Sequence, residues 1–437
     1  MPQNPTTDQR TILSDVEGSE AAPSDVEGSE AAPSDAEGSE AAPTSAARSF
    51  KAGLPIMFTA RTTINVAARI VYPFLPSLAR GLGISLAAAS RLITLRMVGG
   101  MIAPLLGLLA DLYGRRRVMQ AALLLFALAG LVMAGGGTLP AAAVAFTLYG
   151  LAKALYDPAL YAYIGDQVPY RERGRVTGVI ELSWSGAWLL GVPASGFLIE
   201  HFGWRAPWAA LIALGLVGLA LTRAGLPPAP RSGPRPGGRP LLTSIVATWR
   251  DLLRRSSVIV LLMTSLLLTL AIEIPFIVYG AWLETAFGLS LSALGLASTV
   301  VGLAEATAEL GATVITDRLG KKRSVLVGLL SLAASLMALP WLSRLGLVGA
   351  LSGVILMMLS FEFGLVSLLP LATELAPEAR ASLFSLNAMS MSLSRVLAAL
   401  IGGWLWQWES IALQAGVGAA CALVGTVLFA RGLKEVV

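Results

Sequence analysis

Long apolar stretches alternate with short polar connections along the chain from about residue 54 to residue 430. A helix needs roughly 20 mostly apolar residues to cross the hydrocarbon core of a bilayer. Twelve stretches reach that length, and the pattern therefore predicts twelve membrane-spanning helices. Their approximate bounds are 54–79, 86–110, 117–136, 139–164, 174–200, 204–224, 256–280, 290–314, 322–342, 346–370, 381–406 and 410–430.

Two segments depart from this alternation. Residues 14–43 are three acidic decapeptides, SDVEGSEAAP twice and SDAEGSEAAP once. They have too little apolar surface to offset the entropy of ordering, which predicts a disordered tail over 1–50, either a solvated tail or a partner-binding one. Residues 225–255 begin with a run rich in Pro, Gly and Arg, which predicts a flexible cytoplasmic linker. The linker divides the helices six and six, into bundles over 51–224 and 256–437.

The composition supports a membrane protein. Hydrophobic residues make up 55% of the chain and charged residues 14%, whereas soluble domains carry about 25% charged residues. An ordinary soluble enzyme is therefore excluded. The single Cys rules out an intrachain disulfide. Because the chain has only one Cys and one His, we expect no metal and no cofactor. The chain also has no Gly-x4-Gly-Lys-Ser/Thr run, which disfavours a pump driven by ATP.

The basic residues predict how the helices are oriented. The first 47 residues carry a charge of −9, so the remainder carries about +14. With the N-terminus inside, the inner segments hold 20 Lys and Arg residues, and the outer connections hold three, Arg80, Arg205 and Arg344. Cytoplasmic loops are enriched in Lys and Arg. The pattern predicts a multi-pass protein of the cytoplasmic membrane with both termini in the cytoplasm, and its basicity indicates topology rather than nucleic-acid binding.

Two connecting loops carry related motifs. GLLADLYGRRRV runs from Gly107 to Val118 after the second helix, and GATVITDRLGKKRSV runs from Gly311 to Val325 after the eighth. Each loop has an Asp, then a Gly, then a basic cluster. With twelve spans and a basic central linker, this pattern resembles the major facilitator superfamily (MFS), whose signature loop recurs in weaker form in the second half. The resemblance implies an all-α fold of two pseudo-symmetric six-helix bundles.

The resemblance also implies a function. Members of the family are secondary transporters that move small solutes by alternating access, commonly as monomers. In the family, contacts of the signature loop help to hold the two halves together in the outward-facing state. It therefore implies a gating role for Gly107, Asp111, Gly114 and Arg115 in the first loop and for Asp317, Gly320 and Lys321 in the second. The alternative for the basic residues is that they only set the topology.

The sequences of the fourth and fifth predicted helices bear on whether solute transport is coupled to protons. GVPASGFLIEHFGW, beginning at Gly191, is partly similar to a Gly- and Pro-rich motif common in drug and proton antiporters, with Val192 between the Gly and the Pro. This similarity favours proton-coupled efflux over the alternatives of metabolite uptake by symport or uniport. Many proton-coupled members have an Arg four residues before a Gly of the fourth helix. Alignment on Gly150 places Phe146 there, so that account of coupling does not transfer.

Ionisable residues occur within the predicted spans, where they are costly and usually face an interior or a water-filled cavity. Lys153 and Asp157 are four residues apart and can pair. Glu305 and Glu309 share a helix face, and two neighbouring carboxylates in a low dielectric cannot both ionise cheaply. The candidates for proton coupling are Glu273, Glu305, Glu309, Glu362 and Asp157. The alternative is a structural role, with Arg61 or Arg69 as a buried partner.

The resemblance also points to a solute cavity, because the first, fourth, seventh and tenth helices line the central path in this family. The cavity candidates are Arg61, Arg69, Lys153, Tyr156 and Tyr279. Their mixed charges, with those of the nearby carboxylates, suit an anionic or zwitterionic solute, or internal salt bridges that rearrange during alternating access.

Two other classes of membrane protein fit the sequence less well than a transporter. A membrane-embedded lipid-modifying enzyme is disfavoured by the single His and by the repeated loop, so we expect no enzymatic activity. A non-transporting scaffold is disfavoured by the intramembrane charges, because a scaffold has little need of them. The expected partners are therefore a small-molecule substrate, protons and the lipid bilayer, with no nucleic acid.

Overall fold

The computed structural model describes residues 45–228 and 241–433. It leaves out the side chains of 45–52, 104, 107, 108, 111, 170, 171, 241–245, 313, 314 and 317. The decapeptide repeats and linker residues 229–240 lie outside the described part. Throughout the described residues the secondary structure is helical, with no strand.

The first half contains nine helices that make six passes across the bundle. The first pass consists of α1 (Ser45–Arg69) and α2 (Val71–Leu82), and the next three are α3 (Leu86–Tyr113), α4 (Arg115–Gly135) and α5 (Leu139–Gln167). The fifth pass consists of α6 (Tyr170–Glu181), α7 (Ser183–Gly186), a π-helical turn (Ala187–Gly191) and α8 (Val192–Phe202), and the sixth is α9 (Ala206–Gly225). Helix α1 thus begins five residues before the predicted end of the tail at residue 50.

The second half repeats this order. The linker contains α10 (Leu241–Leu252), so the second part of the segment predicted to be flexible is a helix. The seventh pass is α11 (Ser256–Ile277) with α12 (Tyr279–Phe287), and the eighth is α13 (Leu291–Ala297) with α14 (Thr299–Leu319). The remaining four are α15 (Lys321–Leu342), α16 (Leu347–Leu375), α17 (Arg380–Leu405) and α18 (Ile411–Gly432).

Eleven segments of the described chain are long and apolar enough to cross a membrane. They correspond to the second to twelfth predicted spans. The first predicted span is helical in α1 and α2 but is not among the eleven. Its interior contains Arg61, Asn65 and Arg69, which lower its mean hydropathy. Its polar residues lie against other helices, with Arg61 and Asn65 buried.

The first pass of each half is broken at a corresponding place. Helices α1 and α2 meet at Ile70, three residues before Pro73, and α11 and α12 meet at Val278, three residues after Pro275. Proline has no N–H to donate to the preceding turn, so it interrupts the ladder of helical hydrogen bonds. The second helix of each broken pair packs against the other: α2 contacts α12. A Cβ on Gly280 would lie 2.1 Å from the carbonyl oxygen of Pro73, so only glycine fits there.

Within each half, consecutive passes are joined by short connections and alternate in direction. We call the end of the bundle where α1 begins and α18 ends the terminal end, and the opposite end the distal end. Gly114 (φ 92°) joins α3 to α4 and Gly320 (φ 82°) joins α14 to α15, both at the terminal end. These positive φ values favour glycine, which explains why both motif loops contain it.

Candidate solute and proton site

A cavity of about 630 Å³ lies between the two halves. Its walls come from the first, second, fourth and fifth passes on one side and from α17 on the other. Its charged lining residues are Arg69, Arg96, Lys153, Asp157 and Arg395. The lining continues towards the terminal end through Ala103, Tyr161 and Phe384. The volume falls within the range of about 300–1,000 Å³ that small-molecule sites occupy.

Contacts between the halves close the bundle on the distal side of this cavity. Arg80 of α2 pairs with Glu284 of α12 at 2.8 Å. Glu200, near the end of α8, accepts a hydrogen bond from the backbone N–H of Ser292 at 2.6 Å, where α13 begins. A carboxylate there is also favoured by the dipole of the helix. Together with the tight contact at Gly280, these interactions hold the distal ends of the two halves together.

Arg61 and Asp157 form the centre of a buried network in the first half. Arg61 lies 3.5 Å from Asp157 and 3.1 Å from Glu181, and it donates a hydrogen bond to the carbonyl of Ile180 at 2.9 Å. Asp157 also accepts from Lys153 at 2.8 Å, so the pairing predicted from their spacing is confirmed. One carboxylate thus balances two cations, with Glu181 sharing the charge of Arg61.

Lys153 has two further partners. Its ammonium donates to the Asn65 side-chain oxygen at 2.7 Å and lies 4.2 Å from the ring centroid of Trp184. Asn65 in turn donates to Ser183 at 3.0 Å. The first, fourth and fifth passes are therefore joined by polar side chains beside the cavity.

Arg69 and Glu305 connect the two halves. The Arg69 guanidinium lies 2.5 Å from the Glu305 carboxylate of α14. It also lies over the rings of Trp184 and Trp188, at 4.5 Å and 5.1 Å from their centroids. Glu305 is 4% exposed, so this ion pair is almost completely removed from solvent. Cation–π contacts strengthen when the cation is desolvated, and here they supplement a single carboxylate.

A second polar connection between the halves involves Glu273 of α11. Its two carboxylate oxygens accept separate hydrogen bonds, one from Arg395 at 2.9 Å and one from the Tyr72 hydroxyl at 3.1 Å. Tyr72 belongs to the first half and Arg395 to the second. Glu273 therefore does not line the cavity itself but supports Tyr72 and Arg395, which do.

Glu309 and Glu362 lie near Glu305. Glu362 of α16 is 8% exposed and interacts electrostatically with Glu305 and Glu309. Within the described part of the chain, neither Glu309 nor Glu362 forms an ion pair. The three carboxylates of the second half therefore interact electrostatically, and Arg69 pairs directly with one of them, Glu305.

The structure places the five predicted cavity residues at different distances from the cavity. Arg69 and Lys153 line it, whereas Arg61 lies behind Asp157. Tyr156 is fully buried outside the lining, and Tyr279 is buried with its hydroxyl hydrogen-bonded to Ser298.

Several lining residues were not among the predicted cavity residues, and most of them come from helices that the family pattern does not select. Tyr72 follows the break in the first pass, Arg96 belongs to α3, Trp184 to α7 and Arg395 to α17. Arg96 and Arg395 are charged residues within predicted spans, and this charge could have identified them, since intramembrane ionisable residues tend to face an interior. Nothing in the sequence singled out Tyr72 or Trp184.

The predicted gating residues lie at the terminal end. Arg115 pairs with Asp166, at the end of α5, at 3.1 Å. Lys321 pairs with Glu374, at the end of α16. The two pairs occupy equivalent positions, each within its own half. Gly114 and Gly320 form the turns described above, and Gly107 lies within α3. The side chains of Asp111 and Asp317 lie outside the described part of the structure.

A bundle of membrane-spanning helices in two halves, with a charged cavity between them, defines a polytopic transporter-like membrane protein. The sequence model of the family described as the Major Facilitator Superfamily matches the chain twice, over residues 57–280 and 261–435. The chain belongs to this superfamily of membrane transporters. The two matches correspond approximately to the two halves.

Related proteins support the same assignment. The chain is 26% identical over 359 residues to the uncharacterized MFS-type transporter YceJ of Bacillus subtilis (strain 168), covering 80% of this chain and 88% of the relative. It is 27% identical over 299 residues to the uncharacterized MFS-type transporter YwfA of the same organism, covering 67% and 71%.

A shorter match and a solved structure complete the comparison. Multidrug resistance protein 2 of Bacillus subtilis (strain 168) is 27% identical over 149 residues, covering 34% of this chain and 37% of that protein. The crystal structure of a D-xylose-proton symporter superimposes with a TM-score of 0.74 at 16% identity, covering 88% of this chain and 98% of the other. This likeness shows the MFS fold.

Proposed function

We propose that this protein is a secondary active transporter that exports a small solute across the cytoplasmic membrane in exchange for protons. The observation that carries the proposal is the charged cavity between the halves, closed at its distal side by contacts between them. A site placed between two bundles can face either side of the membrane when the bundles rock against one another.

The distribution of Lys and Arg supports the orientation. The connections at the terminal end hold most of these residues, and cytoplasmic loops of membrane proteins are enriched in them. We therefore place the terminal end, with both termini, in the cytoplasm. In this orientation the structure corresponds to a state closed to the outside, with a cavity that extends towards the cytoplasm.

Glu305 is the residue that we assign to proton coupling. Its carboxylate pairs with Arg69 of the opposite half, and protonation would remove the charge on which that pair depends. Loss of this link would favour separation of the halves on the distal side. Glu309 and Glu362 interact electrostatically with Glu305 and are further candidates, while Glu273 connects Tyr72 to Arg395 and forms another.

The ion pairs at the terminal end support a gating role in which each pair stabilises its own half. Arg115 and Lys321 each bind a carboxylate of their own half, Asp166 and Glu374. Such contacts keep each half rigid while the halves move apart at this end. In the opposite state the same basic residues would be available for contacts between the halves.

Export is preferred for two reasons. The fifth pass carries the antiporter-like GVPASG motif, and its Gly196 packs against α13 of the other half, where a Cβ would lie 2.5 Å from the carbonyl of Leu291. The partial match to Multidrug resistance protein 2 points in the same direction. The alternatives to export are uptake by symport and transport by uniport, and the experiment below distinguishes them.

The test uses the full chain in liposomes containing an internal pH dye, with mixed solute pools added on one side. We expect at least one pool to drive proton movement in the wild-type protein, in the direction opposite to the solute. We expect this movement to be lost in Glu305→Gln. Solute uptake without proton movement would indicate a uniporter, and movement in the same direction would indicate a symporter. Unchanged coupling in both Glu305→Gln and Glu273→Gln would contradict the assignment of these carboxylates.

A further inference from the structure

The lining of the cavity has an excess of positive charge. Four of its residues are cations, Arg69, Arg96, Lys153 and Arg395, and Asp157 is the one carboxylate among the described lining residues. Most of this charge is balanced from behind the wall, as Glu305 pairs with Arg69 and Glu273 with Arg395. Asp157 pairs with Lys153.

Arg96 differs from the other three cations. Its guanidinium donates one hydrogen bond, to the backbone carbonyl of Ala68 at 2.7 Å, and lies 5.9 Å from the ring centroid of Tyr72. No carboxylate pairs with it in the described part of the chain. Glu273 acts on it electrostatically, but both oxygens of that carboxylate are already occupied by Arg395 and Tyr72.

A buried guanidinium without an anion is an expensive arrangement. Arg96 is 6% exposed and borders the cavity. A buried charge is normally paired or hydrogen-bonded, because its desolvation costs much more than a single neutral hydrogen bond returns. Arginine presents five N–H donors in a planar fork that matches a carboxylate, sulfonate or phosphate group. The remaining donors of Arg96 are therefore suited to an anionic group of a bound solute.

The rest of the cavity wall defines the other part of that solute. Met97, Ala103, Pro158, Phe384 and Met391 provide an apolar surface beside the charged group. A small polar metabolite would leave this surface in contact with water, whereas an apolar or aromatic body would cover it.

We propose that the transported solute is an amphipathic organic anion whose anionic group binds Arg96 and whose apolar body lies against the wall formed by α3, α5 and α17. This proposal rests on the proposed function, because it concerns the same cavity. It narrows the solute class from any small molecule to one with an oxyanion attached to an apolar body.

The test measures binding by the purified full chain of four matched probes. They are 2-naphthoate and 2-naphthalenesulfonate as anions, 2-naphthamide as the neutral counterpart and 2-naphthylmethylammonium as the cation, each titrated calorimetrically in nanodiscs. A charge-assisted hydrogen bond in a buried site should favour an anion over its neutral counterpart by about tenfold or more. Arg96→Gln should reduce this preference to about twofold or less while the amide binds as before.

Two further variants serve as controls. Arg91→Gln makes the same substitution on the same helix at an exposed position, and it should leave the preference for anions unchanged. Arg96→Lys keeps the charge but not the planar fork, so it should retain part of the preference even if Arg96→Gln folds poorly. The proposal is overturned if neither anion binds more tightly than its counterparts in the wild type, or if Arg96→Gln retains the preference.

The two proposals can fail separately. Preferential binding of anions without solute-driven proton movement in liposomes would overturn the proposed exchange but not the solute class. Proton-coupled movement of neutral or cationic solutes that is insensitive to Arg96→Gln would overturn the solute class but not the proposed exchange.

Discussion

Arg69 and Glu305 form an ion pair, 2.5 Å apart, that joins the first pass of one half to the eighth pass, in the other half. The pair is buried beside Trp184 and Trp188, and Arg69 also lines the central cavity. A single residue is therefore in contact with the other half and with the space in which we place the solute. This position is the basis for our proposal that the ionisation of Glu305 affects the arrangement of the halves.

The first prediction concerns the stability of this pair. Removing one partner of a buried ion pair leaves an uncompensated charge and costs about 3–5 kcal/mol. Arg69→Gln should therefore lower the melting temperature of the purified protein. The double variant Arg69→Gln, Glu305→Gln should be more stable than Arg69→Gln, because it removes both charges. Additive effects of the two substitutions in a double-mutant cycle would show that the pair is not coupled.

The second prediction concerns the contact between α2 and α12. A side chain at Gly280 would collide with the backbone of Pro73, and overpacking of this kind costs about 1–3 kcal/mol. Gly280→Ala should therefore weaken the distal closure and increase the reactivity of an engineered Cys at the distal end. The matched control is Gly416→Ala in α18, where no heavy atom lies within 4 Å of an added Cβ. Equal reactivity in the two variants would contradict the prediction.

The third prediction concerns pH. Glu378 lies in the loop between α16 and α17, and its pKa lies below the usual value of 4.5, because its own backbone N–H and the guanidinium of Arg255 donate hydrogen bonds to its carboxylate. Its contribution to stability is therefore present above its usual pKa and is lost only as the pH falls through the lowered value.

Glu378 should accordingly remain ionised throughout the range of about pH 5 to 8. Glu378→Gln should leave the pH profile of transport unchanged in this range, whereas Glu305→Gln should flatten it. Proteoliposome flux measured at several pH values compares the two variants directly. A flattened profile in Glu378→Gln would show that proton dependence arises outside the central cluster.

Most of the fold can be predicted from the sequence, because a helix that spans a bilayer requires a long apolar stretch and such stretches are visible without any tertiary information. The second to twelfth passes appear where the hydropathy pattern places them. The first pass is harder to recognise from its composition, because it contains Arg61 and Arg69. Their charges are balanced by Glu181 and Glu305, which are distant in sequence. The helical α10 within the linker was also missed, because the Pro- and Gly-rich run before it dominates the composition of that segment.

The site is predictable only in part. The pairing of Lys153 with Asp157 follows from helical geometry alone. Contacts between passes depend on how the helices rotate and cross, and sequence spacing does not determine this. The stacking of Arg69 on Trp184, the support of Arg395 by Glu273 and the lack of a carboxylate beside Arg96 are therefore properties of the packed structure.

The most direct test of alternating access is a pair of distance measurements between spin labels. Cys421 is the only cysteine, so its replacement by Ala gives a background for labelling. One pair of labels, at Phe202 and Ala286, reports the distal end, and a second pair, at Tyr113 and Leu319, reports the terminal end. All four positions are exposed.

These distances should be compared between the Cys421→Ala background and the same background carrying Glu305→Gln. Because Glu305→Gln removes the ionic link to Arg69, we predict a longer distance at the distal pair and a shorter one at the terminal pair. Unchanged distances at both pairs, or changes in the same direction at both ends, would contradict alternating access controlled by Arg69 and Glu305.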